Sequence, residues 1–146
     1  MPRGYEAVTS VTIDAPRSSV WAALVEPDLV TKYMHGTHLA TDWRVGGPVT
    51  WSGEWKGNVY QDKGTVLEVQ PDRRLSYSHW SPLGGSPDVP ENYHAVTVEL
   101  GDEGAGTRLT LTQDNNPTQA DADQMARNNW APMLDGLKST AEALGH

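Results

Sequence analysis

From Tyr5 the chain alternates, with Tyr5, Ala7, Thr9, Val11 and Ile13 on one side and Glu6, Val8, Ser10 and Thr12 on the other. That period of two predicts an opening strand, and both of its faces read as at least half covered. Asp14-Ala15-Pro16 ends it, with Pro16 suited to a first helical position because its missing N–H is no loss there. Val20, Trp21, Leu24 and Val25 then recur at the spacing of one helix face. Pro27 restarts a second short helix carrying Leu29, Val30, Tyr33 and Met34, so the two helices are expected as a V-shaped pair.

From Leu39 the period returns to two and the punctuation becomes Gly and Pro, which fits six strands before Asp114. They are expected over 41–45, 49–56, 64–69, 74–80, 93–100 and 107–114. In the second, Val49, Trp51, Gly53 and Trp55 face inward while Thr50, Ser52, Glu54 and Lys56 meet water. In the fourth, Leu75, Tyr77 and His79 share a face. Val96 and Val98 in the fifth, and Leu109, Leu111 and Gln113 in the sixth, continue the inward set. Gln70-Pro71-Asp72-Arg73 reads as a turn, 101–106 as an acidic hairpin tip, and 81–91 as a long loop able to act as lid or rim.

After Asn115-Asn116-Pro117, Thr118 and Asp121 have the spacing of a capping box, and a helix is expected to about Leu144. Its stripe includes Met125, Ala126, Trp130, Met133, Leu134, Leu137 and Ala141. Pro132 interrupts it. An interior proline costs roughly 3 kcal/mol unless the helix bends, which predicts a kink or break between Asn128 and Pro132.

Composition narrows what such a chain can do. With 146 residues one domain is expected, and a net charge of −8 disfavours nucleic acid and anionic lipid surfaces as partners. No apolar run is long enough to span a membrane, no export signal is evident at the N-terminus, and there is no cysteine. A cytoplasmic protein is the expectation. Six Trp and five Tyr stand against no Phe, so every aromatic ring carries an N–H or O–H that needs a partner once buried.

The order strand, two short helices, six-strand meander and long terminal helix resembles the helix-grip fold of the START/SRPBCC superfamily. The local motifs are similar to those of the activator of heat-shock protein 90 ATPase homologues: Ile13-Asp14-Ala15-Pro16 with Val20-Trp21, Pro27-Asp28-Leu29, Val45-Gly46-Gly47, Gly64-Thr65-Val66-Leu67-Glu68-Val69, Arg74-Leu75-Ser76-Tyr77, Gly106-Thr107-Arg108-Leu109-Thr110-Leu111 and Trp130. The resemblance covers nearly the whole chain and implies an α+β fold in which a curved seven-stranded antiparallel sheet wraps the C-terminal helix. It departs from the family at Asn128-Asn129-Trp130-Ala131-Pro132, where the family's helix usually runs on unbroken. Members of the superfamily include lipid carriers, hormone receptors and polyketide cyclases, so the fold alone does not fix a function.

In such a fold the inward residues line a cavity for a small, largely apolar ligand. From the sheet these are Trp51, Trp55, Tyr77, His79, Val96, Val98, Leu109, Leu111 and Gln113; Tyr33, Met34, Trp130 and Met133 close it from the helices. The competing reading is that they pack on one another as an ordinary core, but Trp and Tyr at such positions leave gaps that need filling. His79 could serve as acid or base and Tyr77 as its partner, which keeps a cyclase- or dehydratase-type enzyme as the alternative, with a co-chaperone-like interaction module behind it. His35 and His38 are spaced to chelate, but no third ligand follows, so no metal is expected; no phosphate or dinucleotide fingerprint is present, so no cofactor is expected either. The oligomeric state stays open, a homodimer included.

Overall fold

The computed structural model describes residues 4–34, 36–55, 57–82 and 86–144, with the side chain of Trp55 excepted. Strand β1 (Tyr5–Ile13) leads into helices α1 (Arg17–Val25) and α2 (Pro27–Tyr33). Six strands follow: β2 (His38–Ala40), β3 (Pro48–Trp55), β4 (Asn58–Gln70), β5 (Arg74–His79), β6 (His94–Glu103) and β7 (Gly106–Asn116). The chain closes with α3 (Gln119–Met125), a π-helical turn (Ala126–Trp130) and α4 (Ala131–Leu144).

All seven strands form one antiparallel sheet in the order β1-β7-β6-β5-β4-β3-β2. Only the β1–β7 pairing joins strands distant in sequence. Register shifts between Tyr5 and Ala7 in β1 and between Val66 and Glu68 in β4 increase local twist, as β-bulges do, and help the sheet curl. At Gly64 the sheet is so tight that a Cβ would stand 1.7 Å from the Ser78 carbonyl oxygen.

The inward face carries Ile13, Val96, Val98, Leu109 and Leu111, which pack with Val20 of α1 and with Leu134 and Leu137 of α4. A second cluster gathers Val30, Leu39, Val49, Trp51 and Val66. Gly136 lets α4 meet α2 closely, since a Cβ there would lie 2.7 Å from the Tyr33 Cβ. This is the helix-grip arrangement.

Several sequence expectations are corrected. The outer side of β1 is not half covered, for Val8 is 55% exposed and Ser10 and Thr12 are exposed too. Pro16 caps α1 rather than entering it. The strand expected over 41–45 lies at 38–40 instead, because the Thr41 hydroxyl and the Asp42 carboxylate accept the backbone N–H groups of Trp43 and Arg44, and Trp43 sits at φ 54°. Such local bonds compete with a sheet ladder. Strand β4 starts six residues before the expected Gly64, and the acidic hairpin tip shrinks to Gly104-Ala105 because Glu103 pairs with Gly106. The turn at Gln70–Arg73 forms as expected: Arg73 N–H bonds the Gln70 carbonyl at 2.9 Å and Asp72 takes φ 64°.

The last helix neither breaks nor continues unchanged. Thr118 caps it, accepting the Asp121 N–H at 3.1 Å, and the π turn then carries the chain past Pro132. Ala131 N–H bonds Ala126 O, five residues back, widening the turn just before the proline ring would meet a carbonyl four residues earlier.

Candidate functional site

Between the inward sheet face and α2, the π turn and α4 lies a cavity of about 60 Å³. Trp51, Tyr77, His79, Val98 and Leu111 line it from the sheet, and Tyr33, Met34, Trp130 and Met133 from the helical side. The sequence-predicted set thus largely converges on one space. Val96 and Leu109 are fully buried in the core cluster and do not line the cavity, and Gln113 is turned to Trp130, whose indole N–H it accepts at 3.0 Å. The Trp55 side chain and His35 lie outside the described residues. Among the described residues no three His, Asp or Glu side chains group as metal ligands.

The structure adds Leu24, Val30, Trp43 and Leu75 to the lining. Trp43 reaches it from the irregular segment after β2, its indole N–H held by the Val25 carbonyl at 2.9 Å. Trp51 is the hub of the aromatic wall, with ring centres 5.1 Å from Tyr77 and 5.3 Å from His79; Trp43 lies 6.4 Å from Tyr77.

Three polar groups decide the cavity's chemistry. The Tyr33 hydroxyl is spent, donating to the Ala23 carbonyl at 2.7 Å. No described residue hydrogen-bonds the Tyr77 hydroxyl, and desolvation pushes the pKa of both phenols up, that of Tyr33 with help from Tyr77. His79 Nε2 lies 3.0 Å from Asp62 Oδ2. A carboxylate only accepts, so this bond places a proton on Nε2 and, in the neutral ring, leaves Nδ1 as an acceptor.

Sequence reasoning missed Asp62 because it lies in the polar run before Gly64. Extending the alternation backwards, Tyr60, Asp62, Gly64 and Val66 share a face, and Asp62 pairs with the inward Trp51. Its Oδ1 atom is buried and has no hydrogen-bond partner among the described residues.

A larger, open groove of about 640 Å³ lies elsewhere, between Ser86–His94, the end of β7 and the π turn. Asn92, Asn115 and Asn116 on its wall are tied to backbone carbonyls, and Asn115 thereby holds the segment after the long loop. On the other side of that segment, Asp88 is clamped by Lys63 and by the Tyr93 hydroxyl. The enclosed cavity is the better candidate site: its walls are apolar and aromatic, and a few oriented polar groups converge there.

The family described as Activator of Hsp90 ATPase homolog 1-like protein matches residues 14–142. The chain belongs to this family. Among solved structures, the solution structure of ChR145 from Cytophaga hutchinsonii is 44% identical, covering 99% of this chain and 98% of that one, with a TM-score of 0.83. The crystal structure of MLL2253 from Mesorhizobium loti is 24% identical over 97% of this chain and all of its own, with a TM-score of 0.76. The Aha1 dimer from Colwellia psychrerythraea shares the fold at 17% identity, covering 97% of this chain and 99% of that one, with a TM-score of 0.74. No curated protein matches the chain. Among the described residues of this family member, no helix is long and apolar enough to cross a membrane.

Proposed function

We propose that this member of the Activator of Hsp90 ATPase homolog 1-like family binds a small, largely apolar molecule in the cavity between its sheet and its C-terminal helix. The observation that carries this reading is the aromatic and aliphatic wall closed by two methionines, Met34 and Met133. An engineered cavity of about 150 Å³ accepts benzene, and the 60 Å³ here is smaller, so entry goes with movement of the wall. Methionine adapts readily to a new neighbour. Trp43 stands on a backbone conformation that side chains rarely adopt, in a segment outside the sheet ladder.

The outer surface supports a co-chaperone-like contact less well. Among its exposed apolar residues, Tyr5 and Val8 stand on β1 and Val59 and Leu67 on β4, strands separated by three others, about 19 Å between strand axes. The β1 and β4 residues therefore do not share one patch.

The test is a titration with benzene, toluene and naphthalene followed by the indole N–H signals in two-dimensional NMR. Saturable shifts of the Trp43 and Trp51 signals are expected, and Met133→Trp, which fills the space, should remove them. If none of the three probes moves either signal, the ligand-binding reading fails.

A further inference from the structure

The polar groups of the cavity are arranged for one ligand feature. We infer that the cavity selects a small neutral aromatic molecule bearing a hydroxyl group, which donates to His79 Nδ1 and accepts from the Tyr77 hydroxyl. This inference rests on the cavity's being a ligand site.

Three observations lead there. First, Tyr77 and His79 stand two residues apart on the inward face of β5, so their Cα atoms are about 7 Å apart, and both line the cavity. Second, their unused capacities are opposite. The Asp62 carboxylate fixes the His79 proton on Nε2, leaving Nδ1 to accept, while the Tyr77 O–H has no acceptor among the described residues. A hydroxyl satisfies both at once, whereas a carbonyl can only accept and would leave Nδ1 unanswered. Third, Trp51 lies edge-on to His79 and tilted against Tyr77, and Trp43 tilts against Tyr77, so a flat ring entering here meets aromatic faces and edges on several sides.

Charge decides against the acidic analogue. A carboxylate ligand at His79 would approach Asp62, 18% exposed, in a chain whose net charge is −8. A neutral hydroxyl meets no such repulsion. Asp62 is on this account a positioning residue: it acts through the tautomer of His79.

The test compares p-cresol with p-xylene, molecules of nearly equal size that differ by hydroxyl against methyl. Dissociation constants are measured by NMR titration on the intact chain, and circular dichroism verifies the fold of each variant. The native protein should prefer p-cresol by on the order of tenfold or more. In Tyr77→Phe, which keeps the ring, and in His79→Leu, the preference should fall to within about twofold while p-xylene still binds. Asp62→Asn should shift the His79 ring nitrogen resonances away from the Nε2–H tautomer and reduce the preference. Equal binding of the two probes by the native protein overturns hydroxyl selection and leaves the cavity reading standing. A preference that survives both Tyr77→Phe and His79→Leu overturns it as well. Binding of neither probe removes the cavity reading, and this inference with it.

Discussion

Gln113 shows how one polar side chain decides whether a tryptophan-rich interior is tolerable. It is 3% exposed near the end of β7, and its Oε1 accepts the Trp130 indole N–H at 3.0 Å. Removing the acceptor strands a half-buried donor, a loss of about 1–3 kcal/mol, whereas removing both partners leaves nothing unsatisfied. Gln113→Leu is therefore expected to lower the midpoint of thermal unfolding by several degrees, and Gln113→Leu with Trp130→Phe to recover most of the loss, both read by calorimetry. The composition pointed to this need, because rings with N–H or O–H groups and no Phe call for partners. It could not say which partner serves which ring. Tyr33 is answered by a helix carbonyl and Trp43 by another, bonds that exist only once α1 has packed. Asp62 was hidden for a related reason: hydropathy cannot report that a carboxylate faces inward when its burial is made possible by a histidine seventeen positions along the chain.

Elements were legible wherever their period was long and unbroken. Strands β1, β5, β6 and β7 and the terminal helix stand close to where alternation and capping put them. The errors fell where side chains bond their own backbone, as at Thr41 and Asp42, where a strand runs through a polar stretch, as β4 does before Gly64, or where a single residue is absorbed. The terminal helix is the instructive case. Ala122, Ala126, Trp130 and Leu134 follow one another at four-residue steps and all contribute to the buried side. Successive steps of four outrun a 3.6-residue period by about 40° each, and the wider π turn takes up the excess. The turn also accommodates Pro132, which supplies no N–H and whose ring would strike the carbonyl four residues before it. These two roles can be separated. Deleting Asn128 removes the extra residue and forces Pro132 into a regular helix, which should destabilise the protein by about 3 kcal/mol in urea unfolding. Adding Pro132→Ala to the deletion should restore much of that stability and raise the helical signal at about 222 nm. Equal stability of the deletion with and without Pro132 would show that the proline does not require the π turn.

At the scale of the whole molecule, the aromatic interior that lines the cavity also sets how the fold responds to alkali. Tyr33 and Tyr77 are acids whose pKa burial raises above the ordinary 10.0. In the unfolded chain both lose their protons near that value, while in the folded chain both hold them, so above about pH 10 the native state binds more protons than the unfolded state. Stability from these groups is fully present below pH 10 and is lost as pH rises toward the folded values, by up to about 1.4 kcal/mol per pH unit for each phenol. Lys63 and Tyr93 are shifted upward as well, by hydrogen bonding to Asp88 and by desolvation respectively, so they contribute in the same direction from the protein surface. The comparison that isolates the cavity is therefore between the native chain and Tyr77→Phe. Urea unfolding at several pH values between 9 and 11.5 should give a steeper fall for the native protein, and the phenolate absorbance of the native chain should show a fraction of its tyrosines ionising only as the fold is lost. Coincident slopes would mean that Tyr77 already reaches solvent in the folded state, and an open wall at that position would undo the closed aromatic pocket on which the ligand reading depends.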